Sequence, residues 1–333
     1  MFDNASIMVT GGTGSFGNAF VEYVLTNYKP ARLIIYSRDE FKQYKMAQKF
    51  DNHPALRFFI GDVRDEDRLG FAMRGVDYLF HAAAMKQVVT AEYNPIECIN
   101  TNIIGGENIV RVAIRQGVKK VLAISTDKAV KPVNLYGSTK ACMEKLFIAA
   151  NHLAGRNGPR FSNVRYGNVV GSRGSVVPVF LAQRETGTLT ITDERMTRFW
   201  LRIEDGVKFV VNCAEMMRGG EIFVRKLPSM RVTDLAEAMA PGCKINIVGI
   251  RPGEKLHESM VSEEESLTTY EYDDFYVIQP TIKMWTTEES NAYGGQEGKQ
   301  VSEGFSYSSD INSDWFNVDQ LAEMLTKTKV VSE

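Results

Sequence analysis

The chain has 333 residues, 44% of them hydrophobic and 24% charged, with a formal net charge of −2. That length can bury the core of one large domain, or of a domain with a smaller lobe, and the composition is that of an ordinary soluble globular protein. Acids and bases are interspersed, which argues against nucleic acid as a partner, and no apolar run reaches the roughly 18 residues of a membrane span. The start, MFDNASIMVTGG, carries an acid where a signal peptide carries its basic region. Four cysteines (Cys98, Cys142, Cys213, Cys243) form no CxxC and predict reduced thiols in a cytoplasmic enzyme. The four histidines show no ligand spacing, so no metal is expected.

In chain order, Ser6–Thr10 reads as a buried strand and Phe16–Asn27 as a helix with Phe20, Val24 and Leu25 on one face. Strands follow at Arg32–Tyr36, Arg57–Ile60, Val76–His81, Lys120–Ser125 and Ser162–Tyr166, separated by helices at Glu40–Phe50, Pro95–Arg115 and Tyr136–Ala154. This alternation predicts an α/β class chain with a doubly wound, parallel Rossmann sheet over residues 1–166. Beyond residue 167 regular alternation gives way to Gly, Pro and short mixed segments. Residues 167–280 read as a smaller C-terminal substrate-binding lobe with segments returning to the sheet, and residues 281–333 as a C-terminal extension. Within that extension, 285–305 reads as loop and Val318–Leu325 as a short helix.

The first strand runs into Gly11-Gly12-Thr13-Gly14-Ser15-Phe16-Gly17, a GxxGxxG that opens the first helix. Gly11 suits a tight turn, Gly14 a close approach of backbone to a pyrophosphate, and Gly17 close helix–strand packing, with the helix N-terminus facing the anion. After the second strand stand Ser37 and Arg38, with Lys42 one turn on. A hydroxyl and a guanidinium suit a 2′-phosphate and favour NADP, whereas Asp39 reading the ribose would mean NAD. Asp62 and Val63 follow the third strand, where a carboxylate can accept from an adenine amino group. Ala82, Ala83 and Ala84 follow the fourth, where a flat cofactor can lie against backbone.

Tyr136 and Lys140, at i and i+4 of a helix start, share one face, and an ammonium beside a phenol favours the phenolate. Such a pair can take a proton from an alcohol as its hydride leaves. At the tip of the fifth strand lies Ser125-Thr126-Asp127-Lys128. A plain alcohol oxidation needs only a hydroxyl there. An added acid and amine equip the site for further proton transfers, although the same pair is also compatible with a solvated Asp–Lys contact of little energetic weight.

The sequence resembles the inverting UDP-N-acetylglucosamine 4,6-dehydratases that begin pseudaminic acid synthesis, within the extended short-chain dehydrogenases/reductases. The resemblance is carried by GGTGSFG (11–17), YSRDE (36–40), FFIGDVRD (58–65), AEYNP (91–95), STDKA (125–129), YGSTK (136–140), RYGNVVGSRGSVVP (165–178), ITDERMTRFW (191–200), GGEIFV (219–224) and GIRPGEKLHE (249–258). It implies UDP-N-acetylglucosamine as substrate, NADP as cofactor and a homo-oligomer. Tyr136, aided by Lys140, would take the proton of the sugar 4-hydroxyl as hydride leaves carbon 4. The ketone would acidify carbon 5, Lys128 would remove that proton, and Asp127 would protonate the departing 6-hydroxyl. Hydride return to carbon 6 and reprotonation of carbon 5 on the opposite face would give the inverted 4-keto-6-deoxy sugar. Thr126 would orient the oxygen on carbon 4. In this role Lys128 is expected to have a lowered pKa, through burial or the charge of Lys140. The resemblance also puts Lys86 near cofactor and sugar, and makes Asn168, Thr192, Arg251 and Glu254 contacts to the nucleotide sugar.

Two positions bear on stereochemistry. The family usually has His where this chain has Gln87, which cannot titrate. The related membrane-anchored, retaining dehydratases usually have Met where this chain has Tyr136. Competing readings are a dehydratase that retains configuration at carbon 5, and a nucleotide-sugar 4-epimerase or reductase, which would use Tyr136 and Lys140 and have no need of Asp127 and Lys128. A nicotinamide-sensing regulator would need none of these proton-transfer groups.

Overall fold

The computed structural model describes residues 1–171, 176–282 and 291–327. Ser172–Ser175 of the GSRGSVVP motif, and 285–290 of the expected loop, lie outside the described residues. The first half alternates β1 (Ser6–Thr10), α1 (Ser15–Asn27), β2 (Arg32–Ser37), α2 (Glu40–Lys49), β3 (Leu56–Ile60), α3 (Glu66–Ala72) and β4 (Tyr78–His81). There follow α4 (Val88–Tyr93), α5 (Pro95–Ile99), α6 (Gly105–Gln116), β5 (Lys120–Ile124), α7 (Leu135–Ala154) and β6 (Arg160–Arg165). The predicted helix over 95–115 is therefore interrupted. A π-turn, Asn100–Ile104, separates α5 from α6, and apolar periodicity does not reveal it because the apolar residues resume on the same side.

The second half holds β7 (Asn168–Val169), α8 (Val176–Arg184), β8 (Thr188–Ile191), β9 (Thr197–Leu201), α9 (Ile203–Met216), β10 (Ile222–Arg225), β11 (Ser229–Arg231), α10 (Val232–Met239) and β12 (Lys244–Ile247). The remaining elements are β13 (Ser259–Val261), β14 (Thr269–Glu271), β15 (Phe275–Ile278), β16 (Ala292–Tyr293), β17 (Gln296–Glu297), β18 (Lys299–Gln300), β19 (Tyr307–Ser308) and α11 (Val318–Lys327). The stretch expected to be loop thus contains short strands in its described part.

The main sheet has the order β18-β14-β15-β10-β6-β5-β4-β1-β2-β3. From β3 to β10 every neighbouring pair is parallel, and β15, β14 and β18 extend that edge antiparallel. Its central strands β1, β2, β4 and β5 are buried on both faces, as a covered parallel sheet requires. In β1, Ile7 and Val9 join Phe20 and Val24 of α1 and Val207, Val210 and Val211 of α9 on one side. Met8 faces the other side, with Leu69 of α3, Ile109 and Val112 of α6, and Met143 and Phe147 of α7. A third cluster joins α8, α10 and α11 through Phe180, Leu235 and Leu321.

Packing fixes Gly17. A Cβ there would lie 2.1 Å from the Gly12 carbonyl oxygen, so no larger residue lets α1 sit this close to the turn after β1. The start of α1 also differs from those of its neighbours. Asp39, Asp65 and Asn134 cap α2, α3 and α7 with side-chain oxygens, whereas Gly14, the N-cap of α1, supplies none. The first-turn N–H groups of α1 therefore face outward at the carboxyl edge of the sheet.

Candidate active site

A cleft of about 630 Å³ runs along the carboxyl ends of the parallel strands. At one end it is walled by Gly11, Thr13, Gly14, Ser15 and Phe16 from the turn into α1, and by Ser37, Arg38 and Lys42 after β2. Asp62 and Val63 follow from β3, and Ala82, Ala84, Lys86 and Gln87 from β4. At the other end stand Thr126, Asp127 and Lys128 after β5, Tyr136 and Lys140 of α7, and Asn168 after β6. The sequence motifs separated along the chain thus meet on one surface. Gly17 packs beneath it, as expected.

The cofactor end fits a dinucleotide by its backbone. The uncapped N-terminus of α1 presents free N–H groups to a pyrophosphate, and Asn18 braces the turn by donating to the carbonyls of Thr13 and Gly14, both at 3.1 Å. At the ribose corner, Asp39 is occupied. Its carboxylate accepts from the Lys42 backbone N–H at 3.0 Å and pairs with Lys42 Nζ at 2.9 Å, contacts that lower its pKa. Ser37 and Arg38 are the other polar groups there. Arg38 is well exposed and lies 3.7 Å from Asp62, whose carboxylate is itself held by Arg64 at 2.7 Å.

The chemical end is built by jamming α7 against the turn after β5. Asn134 caps α7 by accepting from Gly137 N at 2.8 Å, and a Cβ on Gly137 would stand 2.1 Å from the Lys128 carbonyl oxygen. Glycine within YGSTK is what lets Tyr136 approach Lys128 this closely. Thr126 Oγ1 donates to Asp127 Oδ1 at 2.7 Å, and Lys128 Nζ lies 3.1 Å from the same oxygen. Asp127 is 1% exposed, and its Oδ2 has no hydrogen-bond partner. Asn168 Oδ1 and Thr101 Oγ1 are likewise buried on this wall without partners.

Electrostatics separate the two lysines and correct one expectation. Lys128, opposed only in part by its own burial, lies beside Asp127 and, at 3.3 Å, Glu258. These carboxylates raise its pKa well above the ordinary lysine value, where a lowered one was expected. Lys140 is the depressed lysine, pushed down to about 8 by burial with Glu144 opposing. Burial pushes Tyr136 up to about 12, while the Lys128 charge and the Thr126 hydroxyl pull the other way. In this state Lys128 is an ammonium and Tyr136 a phenol.

Three expected contacts do not line the cleft. Thr192 turns its hydroxyl to Met196 Sδ at 2.9 Å. Arg251 and Glu254 pair with each other at 3.6 Å, with Arg251 exposed. Their loop nonetheless abuts the start of α7, where Gly253 O accepts from Asn134 Nδ2 at 2.8 Å. Two further residues belong to the site without a local sequence signal: Thr101, which the π-turn delivers to the cleft wall, and Glu258, the last residue of GIRPGEKLHE, beside Lys128.

Among the described residues no helix is long and apolar enough to cross a membrane. The model of a family described as polysaccharide biosynthesis protein matches residues 7–280. Over 99% of both chains, the sequence is 54% identical to a protein of Campylobacter jejuni named UDP-N-acetylglucosamine 4,6-dehydratase (inverting). It is 46% identical to a Rickettsia canadensis protein named UDP-glucose 4-epimerase, over 84% of each. The solved structure of Pen from Bacillus thuringiensis superposes with a TM-score of 0.89 at 34% identity, covering 98% of both chains.

Proposed function

Because this chain belongs to the polysaccharide biosynthesis protein family, within the extended short-chain dehydrogenases/reductases, we propose that it catalyses 4,6-dehydration of UDP-N-acetylglucosamine with inversion at carbon 5. One observation carries the reading: a carboxyl and an amine, Asp127 and Lys128, stand on the same cleft wall as Tyr136 and Lys140. Alcohol oxidation alone leaves the first pair without work, whereas loss of water from carbons 5 and 6 needs an acid and a base there.

A nicotinamide dinucleotide, held by the N-terminus of α1 and by Lys140, would supply the hydride acceptor at carbon 4 and the hydride donor at carbon 6. The residues do the rest. Tyr136 first releases its phenol proton to solvent, a loss that the Lys128 charge and the Thr126 hydroxyl favour, and as phenolate receives the proton of the 4-hydroxyl, while Lys140 would hold the nicotinamide ribose. Thr126 orients the oxygen on carbon 4. Asp127, whose buried Oδ2 is unpartnered and free to meet the 6-hydroxyl, protonates the departing oxygen with the proton its carboxyl receives from Lys128. Lys128 takes the proton from carbon 5, and for this it first gives one of its own to Asp127 across their 3.1 Å contact. Lys86 serves cofactor and sugar, and Asn168 Oδ1 takes a donor of the substrate. Thr192, Arg251 and Glu254 reach the nucleotide only by giving up their present partners.

The cofactor we propose is NADP. Asp39 caps its helix and pairs with Lys42, which leaves Ser37 and the well-exposed Arg38 to meet a 2′-phosphate, with Lys42 joining by turning from Asp39, and comparison of binding constants for NADP and NAD checks it. By likeness to the dehydratases, we place the enzyme in the cytoplasm as a homo-oligomer in pseudaminic acid synthesis.

Proton NMR of the product made from UDP-N-acetylglucosamine in deuterated water tests the function. The expected product has lost one water, carries deuterium at carbon 5 and has the L-arabino configuration despite Gln87. An epimer of unchanged mass would establish the 4-epimerase reading that the Rickettsia relative's name suggests, and a labelled D-xylo product would establish retention.

A further inference from the structure

Glu258 is 2% exposed and sits behind Lys128, off the cleft wall. Its Oε1 is 3.3 Å from Lys128 Nζ and 3.9 Å from Arg198 Nε, and its Oε2 has no hydrogen-bond partner. Its backbone is fastened from two directions. Glu258 N donates to Ser309 Oγ at 2.9 Å and Ser309 N donates to Glu258 O at 2.8 Å, so the C-terminal extension holds it by a reciprocal pair. On the other side Arg198 of β9 donates to the carbonyls of Leu256 at 3.0 Å and Lys255 at 3.1 Å. Thr197 Oγ1 closes the ring, 2.8 Å from His257 Nδ1 and 2.7 Å from Ser309 Oγ. Most of this hardware surrounds one carboxylate that touches neither the cleft nor solvent.

We propose that Glu258 is a positioning residue for the dehydration, holding Lys128 at the cleft wall and keeping one exchangeable proton on the Asp127–Lys128 pair. The inference rests on the function proposed above. The proton balance shows what that retained proton does. Lys128 passes a proton to Asp127, giving an amine and a carboxylic acid. The amine takes the proton of carbon 5, and the electrons of that C–H bond form the carbon 5–carbon 6 double bond as the carbon 6–oxygen bond breaks. Asp127 delivers its proton to the departing oxygen, and water leaves. Lys128 is again an ammonium and Asp127 a carboxylate, which restores the starting pair. The cycle fails if the pair loses its shared proton to solvent, and a fixed negative charge behind Lys128 opposes that loss. The other charged or titratable groups facing Lys128 are Asp127, Tyr136 of α7, Arg198 of β9 and Lys255. The two carboxylates and the phenol contribute differently: Asp127 takes part in the transfer and Tyr136 has its own proton to move, which leaves Glu258 as the spectator anion.

The test compares the full-length, cofactor-loaded wild type with Glu258→Gln from about pH 6 to the most alkaline pH at which both stay folded, about 12, reading kcat, KM for UDP-N-acetylglucosamine and Tm. With Glu258 replaced, the alkaline limb of kcat should move down by about one pH unit or more, since Lys128 then releases its proton more readily. KM should stay within about threefold, and Glu258→Asp should restore much of the alkaline plateau. An unshifted profile, or a loss of kcat equal at every pH with a fallen Tm, overturns the inference. If Glu258→Gln does not fold, Ser309→Ala carries the same test. It keeps the carboxylate and loosens its mount, and should give a smaller shift of the same sign, with no shift overturning the proposal. Wild type that removes no water from the sugar would instead sink the function itself.

Discussion

Arg165 and Lys128 are both cations held between two carboxylates, yet the two clusters are finished to different degrees. Arg165 donates to both oxygens of Glu144, at 2.8 and 2.7 Å, and to both of Glu265, at 2.8 and 2.9 Å. Ser125 adds a 2.5 Å bond to Glu144, and the Met260 carbonyl takes a further Arg165 N–H. Around Lys128, by contrast, Asp127 Oδ2 and Glu258 Oε2 are buried without partners. A buried polar cluster whose groups are all paired is scaffold. One that keeps unused acceptors at a cleft retains capacity for a substrate hydroxyl or a moving proton.

The comparison can be broken by substitution. Arg165→Met would leave Glu144 and Glu265 facing each other without their cation, and folding stability in urea should fall by about 3–5 kcal/mol. A fall below about 1 kcal/mol would remove the scaffold half of the argument. Lys128→Ala should do the reverse. Tm stays within a few degrees while kcat drops about 10³-fold, worth about 4 kcal/mol of barrier, and exchange of the carbon 5 proton with deuterated water is lost. Exchange at the normal rate would remove Lys128 from the base role.

A smaller effect probes where the clusters meet. Lys140 lies one turn from Glu144, whose oxygens are already engaged by Arg165 and Ser125, and burial wins, taking the Lys140 pKa down to about 8. The unfolded chain keeps that proton up to an ordinary lysine pKa near 10.4. Between those values the unfolded state binds more protons, so Lys140 makes the cofactor-free protein more stable as pH rises from about 8 to about 10. Urea unfolding at both pH values should show this slope, and Lys140→Met should flatten it.

What the sequence made legible follows the same division. The glycine turn, the strand tips and YGSTK act through neighbours a few residues away, so spacing alone placed Gly14, Tyr136 and Lys140 on the cleft. The Lys128 environment was misjudged because its second carboxylate arrives from Glu258, far along the chain, and no local pattern announces that pairing. GIRPGEKLHE was read for a sugar-facing Arg251 and Glu254, but these pair with each other outside the cleft, and its last residue supplies the buried charge. The described part of 285–305 reads as loop because its strands are two residues long and earn their order from tertiary contacts, such as Lys299 and Gln300 against β14.

The π-turn at Asn100–Ile104 has a consequence for chain length. Inside it, Asn102 Oδ1 accepts from Met85 N at 2.8 Å, while its Nδ2 donates to Met85 O and to Thr139 Oγ1, both at 2.9 Å. This stitches the segment bearing Lys86 and Gln87 to α7. A π-turn holds one residue more than the α-helical turn it replaces. Deleting a single residue from Asn100–Ile104 would return this stretch to a regular α-helical turn with its flanks in register, and would remove the bulge that presents Asn102. The stitch would part and Thr101 would leave the cleft wall, so the extra residue in this turn is what ties the segment bearing Lys86 and Gln87 to α7.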